Sequence, residues 1–131
     1  MLHRVLIVDD DIGNLALYTH ILQKRFEVEI ALSAENALGV LRECGPFDVI
    51  VSDMCLTGMD GIQFLARARE QDPDCVRIMM SGYADLRSVL DAVNKGGIFR
   101  LLTKPIMPDD LVEAVMAGVK EHERLVARLP M

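Results

Sequence analysis

The sequence has few of the residues from which disulfide frameworks and zinc sites are built. Aromatic residues make up 5% of the chain, and there is no tryptophan. The cysteines are odd in number and show neither a CxxC motif nor the spacing of Cys/His metal ligands. This pattern argues against both a disulfide framework and a zinc site. We therefore predict buried or half-buried thiols, which are Cys44, Cys55 and Cys75. The histidines also lack ligand spacing, and we predict surface roles for His3, His20 and His122.

Long apolar runs and an excess of basic charge are absent as well. No run approaches the roughly 18 residues of a membrane-spanning helix, and the start, MLHRVLIVDD, has acids after its apolar stretch and no small-residue cleavage site. We therefore expect a cytoplasmic protein without membrane contact. The 14 Lys and Arg against 20 Asp and Glu give a net charge of −6. Because nucleic-acid-binding domains usually present a clustered basic face, we expect no direct nucleic-acid binding by this segment.

What is present is a regular alternation of short apolar runs and helical stretches. The 131 residues suffice for one domain, and the 51% of hydrophobic residues is explained by strands buried on both faces of a parallel sheet. We predict five β/α units. Their strands run from Arg4 to Asp9, Phe26 to Ala31, Phe47 to Ser52, Val76 to Met80 and Ile98 to Thr103.

The second predicted strand alternates apolar residues with acids. Its apolar residues are Phe26, Val28 and Ile30, and its acids are Glu27 and Glu29. An edge strand with one wet face has this alternation. With right-handed crossovers, the edge position predicts an α/β fold, a doubly wound five-stranded parallel sheet in the order 2-1-3-4-5.

Helical periodicity and caps define five helical stretches. Ser33 and Asp60 are predicted N-caps. The stretches run from about Ile12 to Lys24, from Ala34 to Cys44, from Gly61 to before Pro73, from Asp85 to Asn94, and onward from Pro108. In the first, the residues predicted to face inward are Ile12, Leu15, Ala16, Ile21 and Leu22.

The last helical stretch has an apolar stripe that continues further than one domain requires. Its members are Leu111, Val115, Val119, His122, Leu125, Val126 and Leu129. We predict a domain at residues 1–122, followed at 123–131 by an extension of the helix or the start of a linker. A fraying chain end is the alternative.

Chemically active side chains follow the predicted strands. Asp9 and Asp10 end the first strand, Asp53 the third, Ser81 the fourth and Lys104 the fifth. Ligands of such sheets bind beyond the carboxyl ends of the strands where the order reverses. The acids should therefore converge there, since adjacent strands lie about 4.8 Å apart. Packed carboxylates repel unless a cation neutralises them, and Mg²⁺ is the natural occupant.

This arrangement predicts phosphoryl transfer to a carboxylate. A carboxylate at a magnesium ion is well placed to attack a phosphoryl group, and the transfer requires mainly positioning and charge neutralisation. Lys104 offers a positive charge and Ser81 a hydrogen bond. Taken singly, Asp10 and Asp11 also suit helix caps, Ser81 suits a turn and Lys104 suits solvent. Their joint position favours the site.

Four motifs close four of the predicted strands: VDDD (Val8 to Asp11), SDMCLTGMDG (Ser52 to Gly61), MSGYAD (Met80 to Asp85) and LTKP (Leu102 to Pro105). In this order, and over nearly the whole chain, they resemble the receiver domains of two-component response regulators, which have a flavodoxin-like fold. The resemblance implies that Asp53 is the phosphoacceptor. It also implies that Asp10 is a direct Mg²⁺ ligand, Asp9 a ligand through water and the Cys55 backbone carbonyl a further ligand.

The resemblance extends to the signalling residues. Ser81 takes the place of the family's Ser/Thr switch residue, Lys104 that of its lysine, and Pro105 would follow a cis peptide bond. The switch aromatic of the family normally lies three residues before the lysine, where this chain has Leu101. Phe99, two residues earlier and expected on the same face of the strand, is a candidate substitute.

Three further positions in the loops around the predicted phosphoacceptor bear on the site. Family members usually have proline four residues after the phosphoacceptor, where this chain has Thr57, so we expect a looser loop before Gly58. Cys55 and Tyr83 are candidate modulators of dephosphorylation, Tyr83 because it follows Ser81 near the expected mouth of the site. A simple exposed aromatic is the alternative for Tyr83.

The resemblance implies a histidine kinase or a phosphotransfer protein as partner. It also allows a homodimer through the fourth helix, fifth strand and fifth helix, and a fused output domain of the HD-type phosphodiesterase or DNA-binding kind.

A haloacid-dehalogenase-like phosphatase is excluded because Gly13 breaks its motif, and a flavodoxin-type flavin site is excluded because three acids would repel phosphate. A degenerate receiver that acts as a phosphorylation-independent interaction module remains the alternative function.

Overall fold

The computed structural model describes residues 2–82, 90–91, 93–94 and 97–127. These residues form a five-stranded parallel sheet in the order β2-β1-β3-β4-β5, as predicted. The elements are β1 (Arg4–Val8), α1 (Ile12–Leu22), β2 (Glu27–Ala31), α2 (Ala34–Cys44), β3 (Val49–Asp53), α3 (Gly61–Gln71), β4 (Val76–Ser81), β5 (Arg100–Thr103) and the C-terminal helix (Pro108–Ala127).

The element boundaries follow local signals in the sequence. The side chains of Asp11, Ser33 and Asp60 accept a hydrogen bond from the backbone N–H three residues later and so cap α1, α2 and α3. The predicted fourth helix lies mostly outside the described residues. The C-terminal helix runs without interruption past residue 122 to Ala127, so the domain boundary predicted there stays a prediction. Within the described ranges, no helix has the length and apolar character needed to span a membrane.

Two apolar layers hold the sheet between its helices. One layer joins α1 and the C-terminal helix to one face of the sheet, and the other joins α2 and α3 to the opposite face. Every residue of β3 and β4 is buried, which explains their continuous apolar runs. The strands are paired so that Val8 lies opposite Ser52, and Asp53 opposite Met80. The carboxyl ends of the central strands therefore meet at one edge of the sheet.

The buried side of the first helix agrees with the prediction in part, and Ile21 is half-buried against the apolar layer as predicted. Leu15 and Leu22 are buried as predicted, but Ile12 is 70% exposed and Ala16 is exposed, so these two predictions are wrong. The reason is that α1 is apolar around most of its circumference, so periodicity alone does not select a face. Ile30 of β2, expected on the apolar side, is likewise 48% exposed.

The cysteines divide by their place in the fold. Cys75 lies buried just before β4, and burial raises the pKa of its thiol. Cys44 in the last turn of α2 and Cys55 in the loop after β3 are exposed, so the prediction of buried or half-buried thiols is wrong for both. Neither side chain belongs to one of the two apolar layers.

Two of the three histidines connect the C-terminal helix to the rest of the domain. His20 is exposed, as predicted, but His3 and His122 are half-buried. The two ring nitrogens of His3 face the carboxylates of Asp48 and Glu123, with 3.3 Å between Nε2 and the Glu123 Oε1. His122 Nδ1 lies 2.8 Å from a backbone carbonyl oxygen, that of residue 74. These contacts connect the C-terminal helix to the segments that precede β1 and β4.

Candidate functional site

Three carboxylates meet at the carboxyl ends of β1 and β3. Oxygen atoms of Asp9, Asp10 and Asp53 all lie within 4.8 Å of one another. The pairing of Val8 with Ser52 brings the residues that follow these strands side by side. Because β2 lies on the far side of β1, the cluster is at the point where the strand order reverses. The structure thus brings together the three acids that the sequence predicted to converge.

Asp9 is the fully buried member of the cluster. Its Oδ1 accepts a hydrogen bond from the Asp11 backbone N–H at 2.9 Å, and its Oδ2 accepts one from the Asn14 amide at 3.3 Å. Burial raises the pKa of the Asp9 carboxyl, and the negative charge of Asp53 adds to this; the hydrogen bonds and the charge of Lys104 only partly offset the rise. A negative charge at Asp9 is therefore held in an unfavourable environment until a cation approaches.

Asp53 is paired with the lysine that follows β5. Lys104 Nζ lies 3.1 Å from Asp53 Oδ2, and the Asp53 side chain is almost entirely buried. Burial alone lowers the pKa of Lys104, but the hydrogen bond and charge of Asp53, together with the charge of Asp9, outweigh burial and raise it. Lys104 is therefore a fixed positive charge beside the predicted phosphoacceptor.

Ser81 and Lys104 are positioned through the pairing of β4 with β5. Ser81 lies opposite Thr103, and the Lys104 backbone N–H donates to the Ser81 carbonyl oxygen at 2.8 Å. The buried Ser81 hydroxyl donates a hydrogen bond to the Sδ atom of Met54 at 3.3 Å, and Met54 directly follows Asp53 in the sequence. The peptide bond between Lys104 and Pro105 is cis, as the resemblance implies.

The loop between β3 and α3 closes tightly beside Asp53. The Gly61 backbone N–H donates to the Met54 carbonyl oxygen at 2.8 Å. A Cβ atom at Gly61 would lie 2.3 Å from the Asp53 carbonyl oxygen, so only glycine permits this approach. Cys55, whose carbonyl is a predicted metal ligand, lies within this exposed loop.

Thr57 was expected to loosen this loop, but the structure connects it to the cluster. Its hydroxyl donates to Asp10 Oδ2 at 2.9 Å. The sequence did not indicate this contact, because the two residues are 47 positions apart and lie in different loops. Asn14 was also missed, although its position in the first turn of α1 after three acids was a usable signal.

The two residues considered for the aromatic switch position differ in their surroundings. Leu101 lies within β5, and Phe99 lies just before it. Leu101 is half-buried against the layer formed with α2 and α3. Phe99 precedes the first residue of β5 and is 38% exposed, with its ring centroid 5.6 Å from the Arg100 guanidinium carbon. Strand alternation therefore does not by itself place Phe99 on the face of Leu101. Tyr83 lies outside the described residues.

The donor chemistry of the cluster fits a hard divalent cation. Mg²⁺ prefers oxygen ligands and is typically held by one or two carboxylates together with waters and substrate oxygens. Asp9, Asp10 and Asp53 offer carboxylate oxygens within one small volume, and no cysteine or histidine joins the group in the part of the chain that the structure describes. These three residues are able to hold such an ion.

The buried charge of Asp9 gives a stability prediction. Without Mg²⁺ at neutral pH, Asp9→Asn should raise the free energy of unfolding by about 1 kcal/mol, because an amide avoids the burial cost and the repulsion by Asp53. Urea denaturation measures this. The exposed cap variant Asp60→Asn is the control, since asparagine also caps helices and no change is expected.

The pH dependence of this gain has a defined sign. Between the ordinary value of 3.8 and the raised pKa of Asp9, the folded protein binds more protons than the unfolded chain, so stability falls as the pH rises through this window. The loss is complete above the raised pKa. The advantage of Asp9→Asn should therefore shrink as the pH falls towards 3.8. An advantage independent of pH, or a less stable variant, would contradict the prediction.

Comparison with protein families finds a match over most of the chain. The model of the response regulator receiver domain matches residues 5–116. The hydrogenase transcriptional regulatory protein HoxA of Cupriavidus necator is 35% identical over 116 residues, which are 88% of this chain and 24% of HoxA. The chain spans about a quarter of the length of such curated relatives.

Solved structures give similar matches. The signal receiver domain of an HD domain-containing protein from Pseudomonas fluorescens Pf-5 has a TM-score of 0.92 and 29% identity, covering 98% of this chain and 94% of that one. A CheY-like response regulator receiver domain protein from Methanospirillum hungatei JF-1 has a TM-score of 0.89 and 34% identity, covering 95% and 98%.

Proposed function

The chain belongs to the response regulator receiver domain family, and from this premise we propose that it accepts a phosphoryl group on Asp53 in a Mg²⁺-dependent reaction. The observation that carries the proposal is the position of Asp53. Its carboxylate oxygen lies within 4.8 Å of carboxylate oxygens of Asp9 and Asp10, and it is paired with Lys104. The proposed nucleophile, the proposed cation site and a fixed positive charge are thus adjacent. These are the parts that phosphoryl transfer to a carboxylate requires.

In the proposed reaction, a carboxylate oxygen of Asp53 attacks the phosphorus atom of the donor. A new P–O bond forms and the bond to the leaving group breaks, which is a P–N bond in a phosphohistidine and a P–O bond in acetyl phosphate. The electron pair of the broken bond leaves with the histidine nitrogen, which takes up a proton from water to give neutral imidazole, or with the oxygen of acetate. Lys104 stabilises negative charge on a peripheral phosphoryl oxygen, and the Ser81 hydroxyl donates to another.

Asp9, Asp10 and Asp53 are the residues proposed to hold Mg²⁺, together with the Cys55 backbone carbonyl. When bound, the ion supplies positive charge that neutralises the phosphoryl oxygens. The three acids otherwise repel both one another and an incoming phosphate, which is why the proposed reaction depends on the metal.

The surface beside the site supports a helical protein partner as the phosphoryl donor. Ile12 and Leu17 of α1 are large apolar side chains left exposed, and α1 begins directly after the acidic cluster. A groove of about 520 Å³ lies between α1 and the β2 edge, with Ile30 and Leu32 in its lining. We expect a histidine kinase or phosphotransfer protein to present its phosphohistidine across this surface.

We propose that the switch acts on an output domain. HoxA is a transcriptional regulatory protein of which the match covers 24%, so a fused output domain in a longer protein is part of the proposal. Phosphorylation is expected to draw Ser81 inward and alter the face made by the predicted fourth helix, β5 and the C-terminal helix. That face is also the proposed surface for a homodimer.

The test is incubation with acetyl phosphate and Mg²⁺, followed by intact-mass analysis. We expect the mass of one phosphoryl group to be added with Mg²⁺ and none when EDTA removes the metal. A chain that gains no phosphate under any condition would instead favour the alternative of a phosphorylation-independent interaction module. Labelling that is equally efficient in EDTA would contradict the role of the metal.

A further inference from the structure

The hydrogen bond between Thr57 and Asp10 is a feature that the proposed reaction does not by itself require. Thr57 Oγ1 lies 2.9 Å from Asp10 Oδ2, and both residues are exposed at the rim of the acidic cluster. An exposed carboxylate normally samples several rotamers, and ordering it costs side-chain entropy. A neutral donor that reaches it from another loop reduces this freedom without adding a competing positive charge.

Each carboxylate of the cluster has its own donor. Asp9 is held by a backbone N–H and the Asn14 amide, Asp53 by Lys104, and Asp10 by Thr57. In the described part of the chain the bond to Asp10 occupies Oδ2 only, which leaves Oδ1 for a cation. Metal-binding carboxylates are commonly oriented by such hydrogen bonds to their second oxygen.

The same hydrogen bond fixes the loop that contains Cys55. The base of the loop is closed by the bond from the Gly61 N–H to the Met54 carbonyl oxygen. On the other side of the loop, Thr57 is hydrogen-bonded to Asp10, which lies between β1 and α1. Gly58, with φ of 86°, turns the chain directly after Thr57. Cys55, the proposed carbonyl ligand, lies between these two attachments. One threonine therefore affects two of the proposed ligands.

We infer that Thr57 is a positioning residue for the divalent cation, which orients the Asp10 carboxylate and holds the loop of the Cys55 carbonyl in place through its hydroxyl. The inference rests on the proposed metal site and deepens it. It assigns to the threonine a function that a proline at this position could not perform, because proline has no side-chain donor.

The test is a Mg²⁺ titration of the full chain without any phosphoryl donor, followed by NMR chemical shifts. Thr57→Val has nearly the same shape without the hydroxyl, and we expect its Kd for Mg²⁺ to rise about tenfold. Thr57→Ser keeps the donor and should stay within about twofold of the original protein. Thermal unfolding in EDTA should be similar for all three proteins, since Thr57 is exposed.

Three outcomes would overturn the inference: a Thr57→Val protein that binds Mg²⁺ as tightly as the original, a Thr57→Ser protein that loses as much affinity as Thr57→Val, or an original chain that does not bind Mg²⁺. The readout separates this inference from the proposed function. Threonine-dependent Mg²⁺ binding without phosphate acceptance would contradict the proposed function alone. Normal acceptance with unchanged Mg²⁺ affinity in Thr57→Val would contradict only the role of Thr57.

Discussion

Asp53→Asn protein should gain no phosphoryl group from acetyl phosphate and Mg²⁺ under conditions that label the original chain. The amide has nearly the same shape as the carboxylate, but it has no anionic oxygen to form the P–O bond. Asp53 is also buried and paired with Lys104, so the asparagine takes the same position without the reactive oxygen. We expect labelling to fall below detection by intact-mass analysis, while the fold is retained.

The control for this variant is Asp60→Asn. Asp60 lies seven positions further along the same segment, and its side chain caps α3 by accepting the Gln63 N–H at 2.8 Å. Asparagine performs the same capping, so labelling should be unchanged. If Asp53→Asn were labelled as well as the original chain, the phosphoacceptor would be a different residue. Peptide mapping of the labelled protein would then identify it.

Lys104→Met should slow the Mg²⁺-dependent labelling of Asp53 by about a hundredfold, which is the usual effect of removing one fixed group that stabilises developing charge. The methionine side chain is similarly long and unbranched, but it has no charge. Lys104 Nζ lies 3.1 Å from Asp53 Oδ2, so its loss acts directly at the reacting group. The measurement is the initial rate of phosphate incorporation from acetyl phosphate, by intact mass over time.

The Mg²⁺ affinity of Lys104→Met shows whether slower labelling results from the lost charge or from a disrupted metal site. Lys104 is a positive charge near the three carboxylates and is not a metal ligand, so Lys104→Met should bind Mg²⁺ at least as tightly as the original chain. Lys120→Met, on an exposed position of the C-terminal helix, should change neither quantity. A Lys104→Met protein that reacts at the original rate would remove Lys104 from the proposed mechanism.

Much of the fold was predictable because its signals are local. The bounds of α2 were predicted to the residue, since Ser33 caps one end and Gly45-Pro46 ends the other. The sheet order followed from the single alternating strand, β2, together with the handedness of the crossovers. The convergence of Asp9, Asp10 and Asp53 then required no further information, because strand ends in a parallel sheet share one edge.

The errors arose where several arrangements satisfy the same local pattern. In α1, apolar residues occur on nearly all sides, so the position of the C-terminal helix decided that Tyr18 and Leu22 are buried and Ile12 is not. Cys55 is exposed although its neighbours Met54 and Leu56 pack against the layer formed with α2 and α3, and residue type did not indicate this.

The sequence by itself determined the strands, the caps, the order of the sheet and the three acids at its edge, because periodicity and capping act over a few residues. Only the tertiary structure decided which donor holds each acid. The hydrogen bond from Thr57 to Asp10 and the pairing of Lys104 with Asp53 join residues 47 and 51 positions apart. Such contacts depend on the conformation of the loops. Loop conformation is set by packing between elements that are distant in sequence, so no short stretch of sequence specifies it.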